Sequence, residues 1–416
     1  NGNYWWHLAA FFNVAIRQQV KKFEDVNSRK PSEDEYDNIK SRTLKTVRGT
    51  VQADQLKESM GQNTLVFNLD TALRMMGDVA EFYVNNDIRN HYFVSISGYH
   101  IAEAGANPIS QAALTLSNGL TYVELFRSRG LDANKFLRNF SWFFSNGMDP
   151  EYAVIGRVCR RIWSIAMRDL YEVDERGQKL KYHIQSSGRS LHAQEYTWND
   201  YRTTLQALYA LADNANSLHT NSRDEAFGTP TEDTVRDAVA IQLILSKEYG
   251  WLQNENPLQG SYIAGWLTDS VENEILKIFE EMHRRGGVLG SLEVNYQRNR
   301  IQDESMIYEH KKHSGELPII GVNMFEEDAN SSLSVEGFNI EVTRSDKTER
   351  MMVIDRNTTF KETHRKKSDE GLAKLKKVAR EGGNLFEVMM EIVEYCTVGQ
   401  VTQALFETGG KFRRNM

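Results

Sequence analysis

The sequence predicts an α/β fold, an incomplete (β/α)8 TIM-type barrel followed by a mostly helical C-terminal region. Three observations support this prediction. Short apolar or β-branched runs alternate with helical patterns across residues 46–230. Each run closes on polar residues, often with a glycine, as strands do where they end at a barrel mouth. Only about five or six such units can be counted, which is too few to close a TIM barrel of eight.

We therefore divide the chain into four parts. N-terminal helices at 1–45 lead into the βα units at 46–230, a helical segment follows at 231–325, and a C-terminal helical region with a tail occupies 326–416. The chain begins with Asn rather than Met, so we expect it to be a piece of a longer protein.

Composition argues against several classes of protein. The 416 residues carry a net charge of −7 with 26% charged residues, and so lack the basic surplus of a nucleic-acid-binding protein. Two cysteines, Cys159 and Cys396, stand far apart without metal-ligand spacing, which argues against a disulfide framework or a structural zinc site. No apolar run is long enough for a membrane span. We expect a cytoplasmic protein that binds neither nucleic acid nor membrane.

The expected strands and helices follow from the period of the apolar residues. The strands are 48–54, 62–67, 92–96, 139–144, 180–185 and 217–221. The helices between and before them are 11–23, 70–84, 151–170 and 201–212, and a further helix follows an N-cap at Ser32. Polar side chains stand at the end of nearly every strand.

The stretch 95–106 is the most informative part of this pattern. After the strand at 92–96, Gly98 allows a tight turn before a helix that Pro108 and the neighbouring alanines start. Tyr99 and His100 are thereby expected at the carboxyl end of a strand, where the loops of α/β proteins converge on a crevice. A packed structural histidine is the alternative for His100.

The second half of the chain is predicted to be helical. Thr229 or Thr231 caps a helix, and the pattern stays helical through residue 285. A glycine-rich break at 286–290 then leads out through the apolar segment 317–322. A charged helix is expected at 361–380 and an amphipathic one at 385–398. The basic tail at 406–416 is either a partner contact or solvated charge.

Several motifs together resemble the acyl-CoA mutases that use adenosylcobalamin, the family of methylmalonyl-CoA mutase. They are RGTVQAD at 48–54, SISGYH at 95–100, YHIQSSG at 182–188, SLHTN at 217–221 and DEA at 224–226. The similarity extends from about residue 11 to 416. The segments 257–262, 315–323 and 413–416 resemble the C-terminal part of fused isobutyryl-CoA mutases, in which a cobalamin domain, a GTPase and the mutase barrel form one chain.

This resemblance implies a radical isomerase. In the family, Co–C homolysis gives an adenosyl radical that abstracts a substrate hydrogen, and the thioester carbon then migrates between neighbouring carbons. His100 matches the histidine that hydrogen-bonds the thioester carbonyl, and Gln185 matches a glutamine near the substrate. Glu225 matches the carboxylate near the adenosyl ribose, while Glu103 and Ala226 match positions that face the corrin.

Further matches concern the CoA moiety and a second nucleotide. The positions matched around the acyl-CoA are Arg48, Gln52, Tyr92, Ser141, Arg176 and Lys181. The cations among them would pair with CoA phosphates. Asn139 stands where the methylmalonyl branch has an Arg, which puts one phosphate contact in doubt. Glu293 and Asn415 match positions that face the nucleotide of the GTPase domain. Each of these residues, taken alone, is more often a structural residue.

Gln62 carries the argument about the substrate. Where the methylmalonyl branch has an Arg before Asn-Thr-Tyr, this chain has Gln62 before Asn63, Thr64 and Leu65. A free carboxylate is best held by a bidentate guanidinium, and a neutral amide cannot supply that charge. The resemblance thus implies the mutase portion of an enzyme that interconverts isobutyryl-CoA and n-butyryl-CoA. The 2-hydroxyisobutyryl-CoA, pivalyl-CoA and methylmalonyl-CoA mutases remain alternatives, as does a surface role for Gln62.

The sequence lacks parts that such an enzyme needs. The lower cobalt ligand of the family lies in an Asp-x-His-x-x-Gly motif, which does not occur here, and no GxxxxGK phosphate loop is present. We expect adenosylcobalamin, and GTP with Mg, to bind mainly on cobalamin-binding and GTPase domains of the same or a partner chain. The isolated polypeptide should then be inactive and poorly stable. Fused relatives are usually dimeric, which predicts a homodimer. A non-catalytic fragment that docks onto those domains is the alternative.

Overall fold

The computed structural model describes residues 4–326 and 345–413. Within these residues six short strands form two parallel sheets. The strands are β1 (Gly49–Thr50), β2 (His91–Tyr92), β3 (Val94–Ser97), β4 (Phe140–Asn146), β5 (Tyr182–Ser186) and β6 (Ser217–His219). β1 pairs with β2, while β3, β4, β5 and β6 pair in chain order. The predicted α/β class is thus confirmed, but in the described residues β3 and β6 do not pair to close a barrel.

Helices make up most of the described chain. Those up to β6 are α1 (Tyr4–Asn27), α2 (Glu33–Thr46), α3 (Gln55–Lys57), α4 (Leu69–Asn85), α5 (Tyr99–Glu103), α6 (Pro108–Ser128), α7 (Ala133–Phe136), α8 (Ile155–Asp169) and α9 (Asn199–Ala212). Those after β6 are α10 (Glu232–Leu243), α11 (Tyr262–His283), α12 (Gly287–Glu293), α13 (Tyr296–Ser314), α14 (Lys347–Thr363), α15 (Arg365–Glu381), α16 (Leu385–Ile392) and α17 (Val398–Gly409). Across residues 4–326 and 345–413, no helix has the length and apolar character needed to cross a bilayer.

Helix starts follow the capping residues in the sequence. Ser32 caps α2 in a capping box, in which its hydroxyl accepts from the Glu35 N–H and the Glu35 carboxylate accepts from the Ser32 N–H. Thr231, rather than Thr229, caps α10. Because such caps satisfy N–H groups that a helix leaves unpaired, they fix where each helix begins.

The four-stranded sheet has two chemically different faces. One face carries the buried side chains of Val94, Ile96, Trp142, Phe144 and Ile184, which lie in the hydrophobic core. The opposite face, here called the polar face, carries Ser95, Ser97, Ser141, Ser145, His183, Gln185 and His219. Since neighbours in register share a face, these side chains form rows across the strands. Parallel sheets usually bury both faces with apolar residues, so the polar face indicates a surface that lines a space.

The C-terminal helices pack directly on the N-terminal ones. The Phe386 ring on α16 lies edge-on to Phe82 on α4, with ring centroids 5.0 Å apart, and also contacts Phe12 on α1. One hydrophobic cluster extends from Trp5 to Leu405. The domain boundaries drawn at 45, 230 and 325 remain predictions.

The strand predicted at 62–67 is wrong. Gln62 is the last residue of a π-helical turn, Glu58–Gln62, and Asn63 after it has a left-handed φ of 53°. Only Phe67 forms a bridge, an isolated antiparallel one with Lys411. The apolar side chains of this run are buried because Phe67 packs against Phe406 of α17, at a ring separation of 5.5 Å, and not because they pair in a sheet.

The strand predicted at 92–96 is divided, and the helix after it starts earlier than expected. β2 and β3 are separate strands on either side of Phe93, and α5 begins at Tyr99 directly after Gly98, while Pro108 opens α6. The φ of Gly98 is −81°, which any residue adopts. Glycine is needed there for space, because a Cβ atom would lie 2.5 Å from Thr115 Oγ1.

The helical second half also differs in detail. The glycine-rich break at 286–290 does not end the helical region, because α12 and α13 follow it. The charged helix predicted at 361–380 spans parts of two helices, α14 and α15, which meet at His364. The basic tail is described only up to residue 413.

We expect Gly98→Ala to lower the free energy of unfolding by about 1–3 kcal/mol, because the new methyl group overlaps Thr115 and Phe144. Gly228→Ala is a matched control, since no atom lies within 4 Å of the added Cβ and its φ is not left-handed. Urea unfolding of both variants measures the difference. Equal stabilities would contradict the close packing of Gly98.

Candidate functional site

The carboxyl ends of the strands hold a connected polar cluster. Gln185, on β5, donates from Nε2 to the Tyr99 hydroxyl at 3.0 Å and to Asn221 Oδ1 at 2.9 Å. The Tyr99 ring stacks on Phe143 with centroids 4.8 Å apart. Asn221 is fully buried and is bonded through its N–H and its Nδ2 to Ser186. The Gln185 amide is therefore oriented by two partners from other loops.

Glu103, at the end of α5, connects β4 and the loop after β5 at the same edge. Its carboxylate accepts from Ser145 Oγ at 3.2 Å, from Ser187 Oγ at 2.9 Å and from the Arg189 N–H at 2.8 Å. Burial raises the pKa of Glu103, although these hydrogen bonds act in the opposite direction. A Cβ atom on Gly188 would lie 3.1 Å from Glu103 Oε2, so the loop passes close to the carboxylate. Both Glu103 oxygens are thus engaged within the chain.

His100 lies in the first turn of α5 and is half-buried. Its Nδ1 is 2.8 Å from Ser97 Oγ, while Nε2 has no hydrogen-bond partner within residues 4–326 and 345–413. Burial lowers the pKa of His100 to about 4, the Lys57 charge lowers it further, and the Glu58 charge opposes this. The imidazole is therefore neutral near pH 7, with one ring nitrogen directed away from its Ser97 partner.

The turn that carries Gln62 packs against the helix of His100. A Cβ atom on Gly61 would lie 3.4 Å from the His100 carbonyl oxygen. The Gln62 side chain is exposed and makes no hydrogen bond to another residue in the described part of the chain. The structure thus brings the two elements together, but it shows no direct contact between the Gln62 and His100 side chains.

A cavity of about 370 Å³ lies beside this turn. Its lining includes Met60, Gly61 and Asn63 from the turn, Ala104 after α5, and Arg298 from α13. Neither Gln62 nor His100 lines it, and we therefore place the candidate site at the strand ends, where the polar cluster lies.

Five of the six residues matched around the CoA moiety, all but Gln52, lie before or near the start of β1, β3, β4 or β5. Arg48 and Lys181 stand directly before β1 and β5, Arg176 lies in the loop before β5, and all three are exposed. Tyr92 on β2 and Ser141 near the start of β4 are half-buried. This group is therefore separated from His100 and Gln185 by most of the length of the sheet. Gln52, which follows β1, is half-buried.

The remaining matched positions are spread more widely. Glu225 and Ala226 are exposed in the turn after β6. Burial, then the charges of Glu103 and Glu225, raise the pKa of Tyr99, so Glu225 lies near the polar cluster. Glu293 is exposed at the end of α12, away from the sheet edge in sequence, and Asn415 lies outside the described residues.

Asn139 has a structural environment. Its side chain is buried, and Nδ2 donates to the carbonyl oxygens of Ile88 at 3.0 Å and His91 at 2.7 Å. Since both of its amide hydrogens bind backbone, Asn139 holds the segment before β2 against the start of β4. It does not point toward a ligand.

Sequence reasoning missed part of the site. The predicted site did not include Asn221, Phe143 or the serines bonded to Glu103. Each of them lies in, or directly after, a strand that was predicted to end at the site. A second omission is the ion pair between Lys57 Nζ and Glu58 Oε1, at 2.7 Å, whose side chains are only 2% and 4% exposed. Adjacent charged residues normally indicate a solvated surface, so the sequence carried no signal for this burial.

Known proteins are similar to this chain over nearly its whole length. The sequence profile of the family described as Methylmalonyl-CoA mutase matches residues 37–411. The fused isobutyryl-CoA mutase of Geobacillus kaustophilus is 58% identical over 98% of this chain and 38% of its own length. That of Nocardia farcinica is 56% identical over the same shares. The 2-hydroxyisobutanoyl-CoA mutase large subunit of Aquincola tertiaricarbonis is 34% identical over 89% of this chain and 66% of its own length. The chain thus spans well under half the length of the fused isobutyryl-CoA mutases that it matches.

We expect His100 to titrate with a midpoint near 4, against about 6.5 for the same peptide in urea. Because the folded pKa is depressed, the folded state binds fewer protons than the unfolded state between these values. His100 therefore contributes stability above pH 6.5 that is lost as the pH falls toward 4. Histidine C2 hydrogen exchange, read by mass spectrometry, measures the midpoint. A folded-state value near 6.5 would refute the buried, neutral imidazole.

Proposed function

The chain belongs to the methylmalonyl-CoA mutase family, and from this we propose that it is the mutase portion of an adenosylcobalamin-dependent enzyme that interconverts isobutyryl-CoA and n-butyryl-CoA. Four fused isobutyryl-CoA mutases that are 54–58% identical to the chain support this choice of substrate. The chain covers 32–38% of those proteins, so the remaining functions of the enzyme would reside in other domains.

The observation that supports the choice of an uncharged acyl group is the neutral amide of Gln62 on a turn whose Gly61 packs against the His100 backbone. An acyl group with a free carboxylate needs a cation beside it, and a glutamine leaves that charge unpaired. An aliphatic acyl group has no such requirement. The exposed Gln62 side chain has no partner within the described residues, so it is available to a ligand.

The extended polar face suits an elongated ligand. Acyl-CoA carries phosphates at one end and the thioester at the other. Arg48, Arg176 and Lys181 would meet the phosphates, because they are exposed and form no ion pair within residues 4–326 and 345–413. His100 and Gln185 would meet the thioester at the carboxyl edge. Ser141 and Ser145, four residues apart on β4, mark a span of ~13 Å between the two edges.

His100 would act on the thioester as a neutral donor. In the tautomer in which Nδ1 accepts from the Ser97 hydroxyl, the ring proton lies on Nε2, the nitrogen without a partner in the described chain. A neutral N–H aimed at the carbonyl oxygen stabilises negative charge that develops there. Gln185, oriented by Tyr99 and Asn221, would fix the acyl group beside it.

In this proposal the chain would meet one side of adenosylcobalamin. Glu225 and Ala226 are exposed at the carboxyl edge beside the polar cluster, where the adenosyl group and corrin would lie. Glu103 would hold this edge together, since its oxygens accept hydrogen bonds from β4 and from the loop after β5. The cofactor, when bound, supplies the radical chemistry. Its lower ligand would come from a separate cobalamin-binding domain, because this sequence has no Asp-x-His-x-x-Gly motif.

The proposal extends to the assembly. The polar face would line the bore of a TIM-type barrel whose other strands come from a further part of the protein or a partner chain. A GTPase domain with GTP and Mg would lie near Glu293 and Asn415. We place the enzyme in the cytoplasm as a homodimer.

We expect Gln62→Arg to lower kcat/KM for isobutyryl-CoA by about 10²-fold, because a guanidinium would face an apolar acyl group without a partner. Gln62→Asn, which keeps the amide, is the control and should cost about tenfold or less. Chromatography of the acyl-CoA products, with the natural full-length protein and adenosylcobalamin, gives the rates. Wild-type turnover of methylmalonyl-CoA in preference to isobutyryl-CoA would overturn the proposed substrate.

A further inference from the structure

The turn that carries Gln62 rests on a buried charge. Glu58 is 3% exposed, and its carboxylate pairs with Lys57 Nζ at 2.7 Å. Burying an ion pair costs desolvation free energy that its attraction often fails to recover. Stability therefore does not explain why the Lys57 and Glu58 pair is buried. The hydrogen bonds that Glu58 makes to other residues provide an explanation.

Glu58 is the first residue of the segment 58–64, here called the Gln62 turn, and it hydrogen-bonds to the last two residues of that segment. Its Oε2 accepts from Thr64 Oγ1 at 2.5 Å, and its backbone carbonyl accepts from the Thr64 N–H at 3.2 Å and from the Asn63 N–H. These bonds hold Gln62 between Glu58 and the two residues after Gln62, which are Asn63 and Thr64. From the other side, the Tyr4 hydroxyl on α1 donates to Glu58 Oε1 at 3.0 Å.

Glu58 remains an acceptor because its partners keep it charged. Burial would raise its pKa, but Lys57, Thr64 and Tyr4 together lower the pKa below the ordinary value. An ionised carboxylate accepts stronger hydrogen bonds than a protonated one. The Thr64 hydroxyl is therefore held by a charge-assisted bond.

The Gln62 turn needs such support. A π-helical turn is rare and is found mostly at functional sites, and Asn63 adds a left-handed residue directly after Gln62. The Gln62 side chain contributes no hydrogen bond of its own within the described residues. Its location relative to His100 is therefore set by the backbone of the turn, which Glu58 holds at Asn63 and Thr64 and Arg298 holds at the Ser59 carbonyl oxygen.

We propose that Glu58 is a positioning residue for acyl-group recognition: through Thr64 it fixes the Gln62 turn against the His100 helix. Lys57 serves by neutralising the buried carboxylate. This inference rests on the proposed function, since it takes Gln62 as the residue that faces the acyl group.

Thr64→Val is the decisive variant. It removes only the hydroxyl that Glu58 binds, whereas Glu58→Ala would leave Lys57 buried without a partner and endanger folding. In the natural full-length protein with adenosylcobalamin, we expect the KM for isobutyryl-CoA to rise about tenfold and kcat to change by less than about twofold. Amide hydrogen exchange in residues 59–64 should become faster.

Two variants serve as controls. Thr64→Ser keeps the hydroxyl and should restore both the KM and the slow exchange. Thr121→Val removes a threonine hydroxyl that bonds to its own helix, at the Ser117 carbonyl oxygen, and should change neither quantity.

The outcomes separate the two proposals. An unchanged KM in Thr64→Val, beside an active wild type, overturns this inference whether or not the turn exchanges faster. Unchanged exchange shows that the Thr64 bond does not hold the turn, and overturns it as well. A wild-type protein that does not isomerise isobutyryl-CoA overturns the proposed function instead.

Discussion

The structure depends on the alternation of side chains along four parallel strands. Trp142, Phe144 and Ile184 point into the core, and Ser141, Ser145 and Gln185 point the other way. Because successive residues of a strand face opposite sides, one set of strands both builds a hydrophobic layer and presents a polar surface. On the second side, Tyr99 of α5 stacks on Phe143 near the carboxyl edge. The second side is where a ligand can meet the chain without disturbing the core.

Tertiary hydrogen bonds give the polar edge its order. Asp54, fully buried after β1, accepts from the Ser97 N–H at 2.8 Å and from the Tyr122 hydroxyl, and so joins the segment after β1 to the end of β3 and to α6. Glu103 does the same for β4 and the loop after β5. Buried acceptors of this kind are costly if left unpaired, so each fixes the loops that supply its donors. The edge is rigid because the loops share partners.

Electrostatics at the site come mainly from burial. His100 is kept neutral by removal from water, and the two opposite charges of the Lys57 and Glu58 pair act on it in opposite directions. The same pair provides a charged acceptor for the Thr64 hydroxyl. The charge of Glu58 holds the backbone of the Gln62 turn. The groups proposed to meet the acyl portion, His100, Gln62 and Gln185, carry no charge. That arrangement suits an uncharged acyl group.

The sequence by itself determined the α/β class, the cap at Ser32, a second cap at Thr229 or Thr231, the strands that end at polar residues and the motifs shared with the mutase family. These features are local, because periodicity and capping act within a few residues. Only the tertiary structure decided that residues 58–62 form a π-turn, that Gln185 binds Tyr99, and that Lys57 and Glu58 are buried. Each of these depends on residues distant in sequence, such as Tyr4 beside Glu58 or Phe406 beside Phe67, and no local pattern records which distant side chains will meet.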